Sequence, residues 1–171
     1  MESWPPHATP PLWQRLLIGR RPQRTLLRAI GIALLSVVVF RFVLLPIRVT
    51  GISMAPTYTD GRISVVNTAP YWWRTPRRGE VVAIRLAGRS IMFLKRIVGL
   101  PGESIRIDDG IVFVNNRALA ETYVRWRSSW KYAEVTLAPG EYFVIGDNRS
   151  MNQEEHTFGR VTRTRIVGKT L

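Results

Sequence analysis

An apolar run near the start of the chain restricts its folding more than any other feature. Residues 29–47 make nineteen positions with a single charge, Arg41. A bilayer core takes about 20 mostly apolar residues in helical form, so the run predicts a membrane-spanning helix. Arg41 falls near its outer end, where a long side chain reaches the interface while its stem stays among apolar groups. A buried core helix competes with this reading, although a small domain seldom opens with a helix that is apolar on every side. A cleaved signal peptide competes too. The run is too long for one, and no small-x-small cleavage pattern follows before Arg48. The expectation is an uncleaved anchor.

Charge flanking the run sets the expected orientation. Arg15, Arg20, Arg21, Arg24 and Arg28 precede it, and only Arg48 follows closely. The positive-inside rule then divides the chain into a cytoplasmic basic tail (1–28), the anchor (29–47) and an extracytoplasmic domain (48–171). The formal net charge of +13 favours a polyanionic partner, either nucleic acid or an anionic lipid surface, and composition does not choose between them. The chain has no cysteine and only two histidines, His7 and His156. Thiol catalysis, a cysteine-ligated metal and disulfides are excluded, and a histidine-rich metal site is not expected.

Beyond the anchor the pattern is mainly β. Short runs rich in Val, Ile, Phe and Tyr recur between turn residues at 63–66, 81–86, 91–98, 104–107, 111–115, 133–137, 142–145 and 163–167. Asp108-Asp109-Gly110 joins two of them and supplies the positive φ angles of a tight hairpin. The expected fold is a single transmembrane helix followed by a compact, mostly antiparallel β domain. Residues 69–78 read as an aromatic loop that either faces a membrane surface or covers a sheet edge.

Three segments carry candidate chemistry. Ser53 lies between Gly51 and Pro56 directly after the anchor, which by itself describes only a constrained turn. Lys95 is one of just three lysines among 25 basic residues, and it sits in an apolar strand pattern. On a strand it shares a face with Ile91, Phe93 and Ile97, while Met92, Leu94, Arg96 and Val98 form the other. Arginine does not deprotonate in proteins, but a desolvated lysine does. Lowering its pKa from about 10.4 towards 8 corresponds to roughly 3 kcal/mol, within reach of burial. A neutral amine of that kind takes the proton of a serine hydroxyl. Third, Gly146-Asp147-Asn148-Arg149-Ser150 ends an apolar run in a tight turn.

Taken together and in order, these segments resemble the bacterial type I signal peptidases, membrane-bound Ser-Lys endopeptidases. Ser53-Met54-Ala55-Pro56-Thr57 is similar to the family's serine motif, and Arg78-Gly79-Glu80-Val81-Val82 to its Arg-Gly-Asp-Val-Val segment. Lys95-Arg96-Ile97-Val98-Gly99-Leu100-Pro101-Gly102-Glu103 is similar to its lysine motif, and Gly146-Asp147-Asn148-Arg149 to the opening of its last one. The resemblance implies a β domain of the signal-peptidase type on the outer face of the cytoplasmic membrane, removing signal peptides after small residues of the Ala-x-Ala kind. It implies Ser53 as nucleophile, Lys95 as general base and the Ser53 N–H as an oxyanion donor. Substrate would bind as an added strand. Matching positions nominate Ile47, Val49, Met54 and Leu94 as walls of shallow substrate pockets, or equally as ordinary core, and Arg96 with Asp147 as a structural salt bridge. The implied partners are signal peptides of exported preproteins, anionic membrane lipids and the export machinery, with no nucleic acid. No cofactor and no metal is expected.

The sequence departs from the family pattern in two places. Gly51 stands where many members carry a serine as second oxyanion donor. In the last motif Asn152, Glu154 and His156 replace serine, aspartate and arginine. Asn152 is then expected to accept from Lys95 through its carbonyl oxygen, and Glu154 with His156 to keep a weakened ion pair at acidic pH. Two other enzyme readings compete: a processing peptidase of a conjugation or pilus system, and a Ser-His enzyme using His156. The second fails because histidine-type relatives lose the lysine that is present here. A reading of another class is a non-enzymatic basic module tethered to the membrane.

Overall fold

The computed structural model describes residues 22–85 and 92–171. Most of the expected basic tail, with His7, Arg15, Arg20 and Arg21, lies outside the described residues, as do Leu86 and Ile91 of two expected strands. The apolar helix up to Arg41 and the remainder, Phe42–Leu171, are separate units.

The helix α1 spans Pro22–Val38 and continues as a π-helical turn over Val39–Val43. Gln23–Val43 has a mean hydropathy of 2.2 and none of it is buried, so it is long and apolar enough to cross a membrane. The helix stops at Val43, short of the expected end at Ile47, and Leu44–Arg48 forms strand β1. Pro46 supplies the reason. It has no N–H for the carbonyl of Phe42, and its ring would clash there. Thr68 substitutes: its hydroxyl donates to the Phe42 carbonyl at 2.8 Å and its N–H to the Val43 carbonyl at 2.9 Å.

The second unit is antiparallel β throughout its pairings. The other strands are β2 (Ile63–Asn67), β3 (Val81–Arg85), β4 (Met92–Gly99), β5 (Ser104–Asp108), β6 (Ile111–Val114), β7 (Arg117–Ala118), β8 (Tyr132–Thr136), β9 (Glu141–Ile145), β10 (Gly159–Thr162) and β11 (Ile166–Thr170). Seven form one sheet in the order β1-β2-β11-β3-β4-β9-β10, and four form a second in the order β7-β6-β5-β8. β1 and β10 are the edges of the larger sheet, where Pro46 costs no ladder bond. The hairpin β5–β6 closes through Asp109 and Gly110 at φ 47° and 71°, the positive pair that a two-residue primed turn requires.

Both faces of β4 are covered, which decides the environment of Lys95. Ile97 packs with Val82, Ile84 and Tyr142, Val98 with Ile105 and Phe143, and Leu94 with Val49, Met54 and Val66. Lys95 pairs across the ladder with Val82 on β3. An ammonium at such a position loses most of its hydration.

Candidate active site

The segment between β1 and β2 carries Ser53. Val49 and Met54, on either side of it, are buried in the same apolar cluster and pin the loop to the sheet. Gly51 adopts φ 91°, a left-handed conformation that a side chain would strain, and its N–H donates to Asp60 Oδ1 at 2.8 Å. From the other side Asn148 grips the loop. Its N–H donates to the Ser53 carbonyl at 3.0 Å and its side-chain amide to the Ile52 carbonyl at 3.1 Å.

This grip brings Ser53 to Lys95, whose Nζ donates to Ser53 Oγ at 2.8 Å. Lys95 is only 2% exposed. Burial lowers its pKa from 10.5 to about 8, against the opposing pull of the Asp147 carboxylate. Asp147 is held by Arg96 through two hydrogen bonds of 2.8 and 2.6 Å and accepts from the Thr57 hydroxyl at 2.5 Å. Its charge is therefore shared before it reaches Lys95, and desolvation dominates. The Ser53 N–H donates to no acceptor among the described residues, which leaves it available to an incoming oxygen.

A groove of about 730 Å³ opens beside Ser53. Ile47, Val49, Met54 and Leu94 all line it, and all belong to or pack against the apolar cluster beneath. Met92 and Phe93, which sequence reasoning had not singled out, line it as well. One wall is β1, which among the described residues is an edge strand with one side unpaired.

The last motif differs from expectation. Asn152 is exposed at the start of the 3-10 turn Gln153–Glu155, where its amide donates to Glu155 Oε1 at 3.4 Å. It is not brought to Lys95. Nor does Glu154 pair with His156 among the described residues: the glutamate is exposed, whereas His156 is 3% exposed. The chain turns at the 3-10 helix so that the imidazole packs on Trp130 at 4.8 Å between ring centres, and the acidic side chains point to solvent. A Cβ on Gly146 would lie 2.2 Å from the Ser53 carbonyl oxygen and 2.5 Å from His156 Nε2. Glycine is thus what lets the imidazole, the motif turn and the serine loop meet.

Both ring nitrogens of His156 are buried without a hydrogen-bond partner among the described residues. Burial lowers its pKa to about 3, helped by the positive charges of Lys95 and Arg149. The backbone of Ser53 opposes this in part. A depressed histidine pKa means that the unfolded chain binds the proton more tightly. Its stabilising effect is complete above pH 6.5 and declines as pH falls towards 3. Between pH 7 and 5 the protein should therefore lose about 2 kcal/mol more than His156→Gln does. Urea unfolding midpoints at the two pH values measure this, and an equal loss in both proteins contradicts a neutral buried imidazole.

Sequence reasoning also missed Glu121 and Tyr123. Glu121 forms a fully buried ion pair with Arg149 and accepts from the Tyr123 hydroxyl at 2.9 Å. The Arg96 guanidinium lies 4.0 Å over the Tyr123 ring, so both motif arginines meet one loop. Nothing in the spacing of these residues signals the contact; only the fold brings them together.

One apolar helix followed by two antiparallel sheets, with a buried lysine touching a serine hydroxyl, makes this a mainly β protein. The sequence profile described as "Signal peptidase, peptidase S26" matches residues 23–171. The chain belongs to this family and resembles its type I signal peptidases. It is 33% identical over 123 residues to a probable signal peptidase I-2 of Synechocystis sp., covering 68% of this chain and 56% of that protein. It is 31% identical over 153 residues to signal peptidase I T of Bacillus subtilis, covering 82% and 79%. A solved signal peptidase I from Enterococcus faecalis aligns at TM-score 0.46 and 25% identity over 56% of this chain and 97% of that one. The chain thus spans a little over half the length of the Synechocystis relative.

Proposed function

We propose that this protein is a membrane-anchored serine endopeptidase that removes signal peptides from exported preproteins, cutting after small residues. The observation that carries the reading is the 2.8 Å contact between a buried Lys95 amine and the Ser53 hydroxyl. With a pKa of about 8, about a tenth of the amine is neutral at pH 7, against roughly one part in three thousand at the ordinary value of 10.5. In that neutral state Nζ accepts the Ser53 proton as Oγ attacks the scissile carbonyl. It then protonates the leaving amine and activates the water that hydrolyses the acyl-enzyme. The Ser53 N–H receives the developing oxyanion. Gly51 does not join it, because its N–H is already committed to Asp60.

The preprotein segment adds as a strand along the free edge of β1, and its side chains enter the groove against Ile47, Val49, Met54 and Leu94. A floor packed into the core leaves room for small side chains, which fits substrates of the Ala-x-Ala kind. By the positive-inside rule the arginines before the span favour a cytoplasmic N-terminus, with residues 48–171 outside, near anionic lipid and the export machinery.

Two measurements on the detergent-solubilised full chain test this. Cleavage of a preprotein panel should fail when the small residues before the cut are enlarged. A pattern confined to one pilus or conjugation substrate would favour the specialised peptidase instead. For an accepted preprotein, kcat/KM should rise with pH through about 8 and then level. The sign follows from the base form being the neutral one. A profile that is flat between about pH 6 and 10 excludes Lys95 as base.

A further inference from the structure

Beside the serine loop lies a buried imidazole that the Ser53–Lys95 chemistry does not use. His156 is 3% exposed, and neither ring nitrogen has a hydrogen-bond partner among the described residues. A neutral imidazole carries one donor and one acceptor, and leaving them unmet in a protein interior costs stability. Packing alone does not call for that cost. A phenylalanine would stack against Trp130 and Phe158 without it. The nitrogen that matters is Nε2. It and the Ser53 carbonyl oxygen crowd the same side of Gly146, where a Cβ would meet them at 2.5 and 2.2 Å. The Ser53 backbone already biases the ring towards holding its proton, as an acceptor does.

The Ser53 carbonyl has room for that donor. A carbonyl oxygen has two lone pairs, and the Asn148 N–H at 3.0 Å takes one. The preceding peptide is fixed separately, by the Asn148 side-chain amide on the Ile52 carbonyl. That peptide carries the Ser53 N–H, which receives the oxyanion. Peptide units are planar, so these two planes set φ and ψ of Ser53 and with them the aim of Oγ at Lys95. We propose that His156 is a positioning residue for Ser53, its Nε2–H donating to the Ser53 carbonyl in the reacting complex. Catalytic hydrogen bonds are often long beforehand and tighten only there. The positive charges of Lys95 and Arg149 keep the ring neutral, so it donates without adding a third cation. The role rests on the Ser-Lys reading and deepens it. His156 is absent from the residues lining the groove and acts through the serine loop alone.

The chain has only two histidines, which makes the ring directly observable. Full-length Ser53→Ala keeps the carbonyl and cannot turn substrate over. Its histidine 15N spectra are read in detergent with and without a bound preprotein peptide, with His7→Gln to assign the signals. The His156 Nε2 should carry the proton, and that proton should move downfield when peptide binds. An Nε2 without a proton, or one unmoved by bound peptide, overturns the proposal. These spectra do not depend on a variant at 156 folding. In the active enzyme, His156→Phe keeps the aromatic packing and should lower kcat by about 10–100-fold at unchanged KM. His156→Gln, whose amide reaches the place of Nε2, should recover most of that loss. The rise of kcat/KM through about pH 8 should stay in place in both. An unchanged kcat in His156→Phe, or a loss that glutamine does not rescue, makes the ring structural and overturns the proposal. A displaced pH profile makes Lys95 the group it acts through and overturns it too. In each of these cases the parent still cleaves; a parent that does not cleave ends the peptidase reading and the proposal together.

Discussion

Lys95→Arg is expected to lower preprotein cleavage by about 10²–10⁴-fold, the range a positioned general base contributes, and Ser53→Ala to reduce it to the uncatalysed background. The lysine variant is the more informative because it keeps a cation at the position. Guanidinium stays charged at any accessible pH, so the burial that makes the Lys95 amine a base has no such effect on arginine. Lys95→Met separates chemistry from stability. It removes an amine whose pKa is depressed to about 8, hence one whose charged form is disfavoured by folding at neutral pH. Its melting temperature should equal or exceed that of the parent while cleavage is lost. Cleavage assays in detergent, with circular dichroism to verify folding, check all three. Appreciable cleavage by Ser53→Ala or Lys95→Arg rules out the dyad. No cleavage by the parent, with binding to anionic lipid or nucleic acid that survives both substitutions and collapses at high salt, would instead describe a basic tethered module.

Much of the β unit was legible because its strands announce themselves locally. β2, β5 and β6 have the expected apolar runs, and the Asp109-Gly110 turn between the last two admits few alternatives. β1 was hidden, since an apolar run reads the same in a helix and in an edge strand; only Pro46 marks the change. β10 was lost in the last motif, and the expected strand at 163–167 is displaced to Ile166–Thr170, because residues 163–165 coil into a 3-10 turn.

The Ser53–Lys95 contact joins segments 42 residues apart in sequence, and motif order pointed to it where no local pattern did. The last motif was read by position, with Asn152 aligned to the lysine. Its 3-10 turn instead exposes Asn152 and buries His156. The cause is packing. The imidazole finds an aromatic cavity against Trp130 and Phe158, and a short polar amide would have left that cavity unfilled.

Glu121→Ala should cost about 3–5 kcal/mol of stability, because it strands the Arg149 charge with no counter-ion. Neither side chain of this pair has measurable exposure, so water cannot replace the carboxylate without opening the fold. The damage also reaches the serine. Arg149 Nε donates to the Gly146 carbonyl at 2.8 Å, and Asn148, two residues on, holds the carbonyls of Ile52 and Ser53. An unpaired guanidinium pulled towards water would drag that turn, and kcat/KM should fall with no change in any group that touches substrate. A double variant, Glu121→Ala with Arg149→Leu, tests the cause. Removing both charges spares the desolvation penalty, so it should unfold at a higher urea concentration than Glu121→Ala alone. If the single variant loses less than about 1 kcal/mol, the range of a surface pair, then the buried pair does not brace the site.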